Sequence, residues 1–331
     1  METLLLGRAA VDENTPMSEL VGAVSDAFAA YERGDARMPA KSYIDLPEHN
    51  GDFRSMPAYM DAGEWDAAGI KWVNVHPDNP AEYDLPSVLG TMIYSDPRNA
   101  FPLAIMDGTE LTMKRTGAAA AVATDHLAVD GASSLGLIGA GVQAYTQLEA
   151  ISTIRPIEEV VICDLDEQRV ADFVDAFEDD FSVRAGSVGE AASCDVLSTV
   201  TPSTESIVTR EDLGASTHVN AMGADAADKQ ELEPEILRDA TLVIDDYEQT
   251  THSGEISIAW EEGLIEEAAI HAQVGEIVVG KREDRTDENE ITVFDSTGLA
   301  IQDVAAAHVV YEYARERDNG TAFDLVGTGS R

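Results

Sequence analysis

Residues 134–147 read Ser134-Leu135-Gly136-Leu137-Ile138-Gly139-Ala140-Gly141-Val142-Gln143-Ala144-Tyr145-Thr146-Gln147. An apolar run ends in a glycine hinge, and a helical pattern follows. Further on, a second apolar run, Val160-Val161-Ile162-Cys163, ends at Asp164. Strand, glycine turn, helix, strand and acid, in that order, is the layout of a dinucleotide site. Gly139 allows the tight turn. Gly141 lets the backbone approach a pyrophosphate, and the amides that open the helix point at the anion. Ala144 stands at the third glycine position, a substitution the motif tolerates. Asp164 falls where a carboxylate accepts both ribose hydroxyls, so the expected cofactor is NAD; a 2′-phosphate would be repelled there.

Outward from this turn, the chain alternates strand and helix patterns. Helix Glu167–Phe177 precedes a strand near Val183. A short helical piece at Glu190–Ser193 leads to strand Asp195–Val200, and further strands follow at His218–Met222, Leu242–Asp245 and Ile291–Phe294. Such alternation predicts a parallel sheet with helices on both faces. Before it, Leu4-Leu5-Leu6 reads as a short strand, and Thr15-Pro16 as the start of a helix with Thr15 as its N-cap. From 38 to 112 the pattern is strand-like, including Lys41–Leu46, Lys71–Val75 and Phe101–Met106, with an intervening helix near Ser87–Tyr94. Thr116–Leu127 reads as an alanine-rich helix. Leu299–Arg315 reads as a long one, with Ile301, Val304, Ala305, His308 and Val309 as its apolar face. The fold class expected is α/β: a Rossmann-type dinucleotide-binding domain over 119–298, plus a discontinuous α+β substrate-binding and dimerisation domain from 1–118 and 299–331. The first would hold the cofactor and the second the substrate.

The chain has 331 residues and 44% hydrophobic residues, enough for about two domains with real cores. No run approaches the roughly 20 apolar residues of a membrane span, and no basic-then-apolar leader pattern opens the sequence. The two cysteines, Cys163 and Cys194, sit in or beside apolar runs, which reads as free thiols in a reducing cytoplasm. The formal net charge is −42, which argues against nucleic acid or an anionic membrane as partner. The acids interrupt amphipathic elements throughout, as Asp172, Asp175 and Glu178 do among Phe173, Val174 and Phe177. An acidic solvated surface of this kind suits high salt, where screening acts over about 3 Å at 1 M. The expectation is therefore a halophile's cytoplasmic protein.

In so acidic a chain the five lysines are informative: Lys41, Lys71, Lys114, Lys229 and Lys281. Lys281, in Lys281-Arg282-Glu283-Asp284-Arg285, reads as a leftover surface charge. Lys41, Arg54, Lys71, Lys114 and Arg115 lie on or beside strand-like runs. A cation on a core-facing strand is costly unless paired. Each alone fits an internal salt bridge as well as a site. Together, beside a dinucleotide domain, they suggest a small anionic substrate such as a carboxylate. No zinc-spaced Cys/His cluster, Walker loop or nucleophile elbow is present. The seven histidines are scattered and read as structural or surface. His76, close to Lys71 and Asn74, is the one placed nearest the site.

Gly69-Ile70-Lys71-Trp72-Val73-Asn74, Leu111–Gly117, Gly139–Gln147, His218–Asp225 with Lys229-Gln230-Glu231-Leu232, and Phe294-Asp295-Ser296-Thr297-Gly298 together resemble the ornithine cyclodeaminase/mu-crystallin family, and most of all its archaeal alanine dehydrogenase branch. The resemblance runs over nearly the whole chain. It implies that Lys41, Lys71 and Arg115 hold an amino-acid carboxylate, and that Asp225 is the acid/base beside the amine. It places Val142, Gln143, Asp164, Thr201, Val219, Asn220, Ala221, Met222, Lys229 and Ser296 against the cofactor, along with Arg115 and Ser87. Thr297 adjoins the substrate. One departure matters: the cyclodeaminases carry an acid just before a Met-Pro, where this chain has Arg54 before Met56-Pro57. An arginine would repel the side-chain ammonium of ornithine and favour a short or uncharged amino acid. The reading is oxidative deamination of L-alanine, with Lys41, Arg54 and Arg115 on the carboxylate and Asp225 and Lys71 moving protons. The alternatives are ornithine cyclisation with recycled NAD, imine reduction, or a non-catalytic nucleotide binder. Homodimers are the family's usual state.

Overall fold

The computed structural model describes residues 1–327. They form a mixed α/β protein that divides into two compact units, Met1–Arg115 with the chain from Leu299 on, and Thr116–Gly298. No helix among the described residues is long and apolar enough to cross a membrane.

The first unit is built on β1 (Thr3–Leu6), β2 (Ala36–Arg37), β3 (Ser42–Leu46), β4 (Gly51–Asp61), β5 (Asp66–Val75), β6 (Val88–Ser95), β7 (Pro102–Asp107) and the chain's last strand, β16 (Thr321–Phe323). The sheet order is β16-β1-β7-β6-β5-β4-β2, with β3 also on β4. All pairs are antiparallel except β1 with β7. The helices are α1 (Arg8–Glu13), α2 (Met17–Arg33), α3 (Asn79–Glu82), the first part of α4 (Gly108–Leu127), and α12 (Ala300–Glu316). Leu20, Val24, Ala27 and Phe28 give α2 one buried stripe, and Gly34, at φ +81°, ends it in the left-handed conformation. Both α2 and α12 pack on the same side of the sheet. On that side Met56, Lys71 and Met92 lie opposite one another across β4, β5 and β6. Residues of opposite parity, among them Trp72 and Ile93, face away and stay exposed.

Two expectations for this unit are corrected. Ser87–Tyr94 is not a helix: Val88–Ser95 is strand β6, and Ser87 lies in the turn before it, where its carbonyl accepts from the His76 amide at 2.7 Å. Met92 and Tyr94 are buried while Thr91 and Ile93 are exposed, a period of two that β5 and β7 enforce on either side. Thr15 does not cap α2. Its hydroxyl donates to the Val11 carbonyl at 2.5 Å, because α1 ends there, and Pro16 takes the N-cap position.

The second unit carries β8 (Ser134–Ile138), β9 (Glu159–Cys163), β10 (Ser182–Ala185), β11 (Val196–Thr199), β12 (His218–Ala221), β13 (Thr241–Ile244), β14 (Ile270–Gln273) and β15 (Thr292–Asp295). All are parallel, in the order β10-β9-β8-β11-β12-β15-β13-β14. The order reverses between β8 and β11, and ligands of such sheets bind at the carboxyl ends of the strands beside that point. The helices are α5 (Val142–Ile151), α6 (Glu167–Phe177), α7 (Val188–Ala192), α8 (Pro234–Asp239), α9 (Tyr247–Ser253), α10 (Ser257–Glu261) and α11 (Val274–Val278). A Cβ on Gly136 would lie 1.9 Å from the Ala191 carbonyl oxygen, so only glycine lets α7 press onto β8. Cys163 is half-buried and Cys194 buried, both as free thiols.

Candidate active site

At the end of β8 the chain turns through Gly139, whose φ of +101° is a conformation L side chains rarely adopt. A Cβ there would also sit 2.9 Å from the Val200 carbonyl oxygen. Gly141 is the N-cap of α5, and a Cβ on it would meet nothing within 4 Å, so the front of the turn is open. Val142, the first residue of α5, is 58% exposed. Asp164, just past β9, accepts the Ala140 amide at 2.6 Å with Oδ2 and the Asp166 amide at 2.9 Å with Oδ1. The acid is thereby tied to the glycine turn it was expected to accompany. Leu165 beside it is fully exposed.

Buried carboxylates anchor the remaining strand ends. Glu231, with no exposed surface, accepts the Thr201 amide at 2.7 Å, the Thr199 hydroxyl at 2.7 Å and the Gly223 amide at 3.0 Å. Glu255 accepts the amides of Glu231 and Leu232, and Asp295 those of Glu255 and Ile256. Burial pushes Asp295 up to about 8, against the pull of those two amide bonds. Asp245 accepts the Ser296 hydroxyl and the amides of Thr297 and Gly298. Each acid therefore fixes a segment that carries an expected site residue or the next acid in the series. Met222 follows the end of β12 and is half-buried. Val219, Asn220 and Ala221 lie within the strand, fully buried. The Asn220 side chain bonds Thr124 and His218. Beyond it, Asp225 Oδ1 holds Lys229 Nζ at 2.5 Å. The acid expected for catalysis and the lysine expected for the cofactor are thus partners.

In the first unit, the register of β5 puts Lys71 in the middle of the helix-covered face, 1% exposed. Its Nζ donates to Asp303 Oδ1 at 2.8 Å and to Thr112 Oγ1 at 3.2 Å. Thr112 donates its own proton to the Gly108 carbonyl, so it offers Lys71 a lone pair. Burial drives the Lys71 ammonium down, Asp303 pulls it back, and the balance lies at about 7. Arg115, on α4, reaches the same Asp303 Oδ1 through Nε at 3.0 Å and Gln302 Oε1 through Nη1 at 3.0 Å. Asp303 Oδ2 and Gln302 Nε2 are buried without a hydrogen-bond partner. Arg54, two residues along β4 from Met56, shares the Lys71 face. It pairs with Asp52 at 2.8 Å and lies over the Tyr43 ring at 5.5 Å. Lys41 is half-buried just before β3. Lys114 is spent on Asp12 at 2.8 Å, a structural pair. His76 packs edge-on against Phe53.

Residues 1–318 match the ornithine cyclodeaminase/mu-crystallin family. The chain belongs to that family. It is 45% identical to the alanine dehydrogenase of Archaeoglobus fulgidus over 97% of this chain and 98% of the relative. Among solved structures it is similar to an archaeal alanine dehydrogenase dimer with bound NAD, at a TM-score of 0.93 and 45% identity, covering 98% of this chain and 100% of that one. It is also similar to the Δ1-pyrroline-2-carboxylate reductase of Thermococcus litoralis in complex with NADH and L-proline, at a TM-score of 0.92 and 36% identity, covering 96% and 99%. For this member of the cyclodeaminase/mu-crystallin family, sequence reasoning missed Asp303 and the anchoring role of Glu231. The signal for Asp303 was an acid beside the apolar stripe Ile301, Val304 and Ala305 of a helix otherwise read as core.

Proposed function

We propose that this chain is an NAD-dependent amino-acid dehydrogenase that interconverts L-alanine with pyruvate and ammonium. The observation that carries the reading is Lys71, a nearly solvent-free lysine brought to about 7 beside a second buried cation, Arg115. Burial and the neighbouring guanidinium lower Lys71, and a proton affinity near neutrality suits a group that exchanges protons with a substrate. The relatives named above supply the substrate class.

The residues of the second unit fit a dinucleotide. The open front of Gly141 and the amides opening α5 suit a pyrophosphate, and Asp164, held in place by Ala140, suits a ribose diol. Thr201, Met222, Lys229 and Ser296 are the further positions proposed against it, with contacts from Val219–Ala221. When bound, NAD supplies the acceptor for the Cα hydride of alanine. The chain's own groups do the rest. Arg115 keeps Nη2 for the substrate carboxylate once Nε and Nη1 are engaged, and Lys41 and Arg54 add charge-assisted bonds. Thr297 borders the substrate. Asp225 Oδ2 accepts a proton from the water that adds to the imino carbon, with Lys229 fixing the acid's orientation. As the C–N bond of the resulting carbinolamine breaks, Asp225 returns its proton to the leaving ammonia and Lys71 Nζ takes the hydroxyl proton; in the reductive direction Lys71 gives that proton back to the oxygen.

A second reading, reduction of a cyclic imine, draws on one observation. Asp52 neutralises Arg54, so the arginine alone is a weaker barrier to a larger or cationic substrate than its sequence position suggested. Incubating the protein in molar KCl with NAD and L-alanine, with NAD and L-ornithine, and with NADH and a cyclic imine decides between them. Net NADH with alanine supports the dehydrogenase. Ornithine converted to proline without net NADH, or activity confined to cyclic imines, overturns it.

We further infer a homodimer in a salt-rich cytoplasm. The exposed side of the first sheet carries the large apolar side chains Leu5, Ile93 and Trp72 on a chain of net −42, a face suited to a second copy.

A further inference from the structure

We propose that Asp303 is a positioning residue: one buried carboxylate oxygen that holds both Lys71 and Arg115 in place for an anionic substrate. It deepens the reading of Lys71 given above and rests on it for its catalytic meaning.

The geometry separates this from an ordinary salt bridge. Asp303 has no exposed surface, and a single oxygen, Oδ1, receives Lys71 Nζ at 2.8 Å and Arg115 Nε at 3.0 Å. Two cations on one carboxylate leave a net positive charge in a dry place, within a chain whose surface is overwhelmingly negative. A purely structural core gains nothing from that, since packed apolar groups of the same volume stabilise as well or better. The orphaned atoms Asp303 Oδ2 and Gln302 Nε2 add a second uncompensated cost at the same spot. Excess positive charge is, however, what a small carboxylate substrate requires.

The anion is placed by the helix that carries it. Asp303 lies in the first turn of α12, where the helix dipole favours negative charge. Gln302, its neighbour, accepts Arg115 Nη1 and the Leu299 amide through the same Oε1, which locks the turn against the guanidinium. On the other side Thr112 fixes a second Lys71 proton. With two of its three protons directed, the third position on Nζ has a defined direction. The charged groups that bear on Lys71 are Asp303 from α12, Arg115 from α4 and Lys41 from the segment before β3. Of these only Asp303 raises its proton affinity.

Because the chain has five lysines, a ¹³Cε-lysine NMR spectrum resolves Lys71, assigned by its loss in Lys71→Met. The wild-type resonance should titrate with a midpoint near 7. In Asp303→Asn the midpoint should fall by about one pH unit or more, as an opposite charge is removed. Asp303→Glu, which restores the charge, should bring it back part of the way. Circular dichroism and a cooperative thermal unfolding transition like that of the wild type report that the variants are folded. Should Asp303→Asn fail to fold, Asp303→Glu alone still decides: the longer side chain must displace the midpoint. A midpoint unmoved in a folded variant overturns the proposal. A midpoint that moves in a protein inactive on alanine upholds the Asp303 assignment and removes the alanine reading instead.

Discussion

Two acids of the second unit carry distinguishable duties at the scale of single residues. Asp164 is bonded to the glycine turn and Asp225 to Lys229. Asp164→Ala should narrow the preference for NAD over NADP, since the carboxylate that repels a 2′-phosphate is gone. Asp225→Asn should keep NADH affinity and lose turnover by about 10²-fold or more, the usual weight of general acid–base catalysis. Fluorescence titration with both cofactors, run beside initial rates, separates the two. Unchanged cofactor preference counts against Asp164, and undiminished turnover removes Asp225 from the chemistry. Lys71 adds a pH signature. Its folded value near 7 lies below the ordinary lysine value, so between about 7 and 10.5 the folded state binds fewer protons than the unfolded chain. Its contribution to stability therefore rises with pH across that window and is smallest below 7.

The turn between β8 and α5 shows how much an element can reveal before its surroundings are known. Gly139 was legible because a left-handed turn is a local requirement, and the structure gives it φ +101° with the Val200 carbonyl close behind. Gly139→Ala should cost about 1–3 kcal/mol of stability and weaken NADH binding, measured by thermal unfolding and titration. A variant with wild-type stability would mean the turn can relax. Seven of the eight parallel strands of the second unit were legible too, most of them because buried strands write themselves as apolar runs; β14 was not, since Ile270-His271-Ala272-Gln273 is a short, half-polar edge strand. Strand β6 was not. Val88-Leu89-Gly90-Thr91-Met92-Ile93-Tyr94 serves a helix pattern as well as a strand, and its neighbours β5 and β7 settle the matter. Asp303 was illegible for a related reason. Its meaning depends on Lys71, 232 positions away along the chain, and no local spacing encodes that pair.

For the molecule as a whole the governing fact is a net charge of −42. Self-repulsion of that size is tolerable where counter-ions screen it over about 3 Å and costly where the screening length reaches about 30 Å. A salt series followed by circular dichroism and sedimentation velocity should show a folded dimer in molar KCl that unfolds or dissociates on dilution. Full retention of fold and assembly at low salt would contradict the high-salt reading. A monomer at every salt would contradict pairing through the Trp72 and Ile93 face. The buried cations Lys71 and Arg115 stand apart from this surface balance, because their partner Asp303 is inside with them.

The central claim is the reaction itself, and it is tested most directly in the reductive direction. Pyruvate, ammonium and NADH are incubated with the protein in molar KCl, and the products are identified by proton NMR while NADH absorbance is followed. The account predicts L-alanine formed in equal amount to the NADH consumed. No loss of NADH under these conditions, in a protein that binds the cofactor and consumes NADH on a cyclic imine, would contradict it.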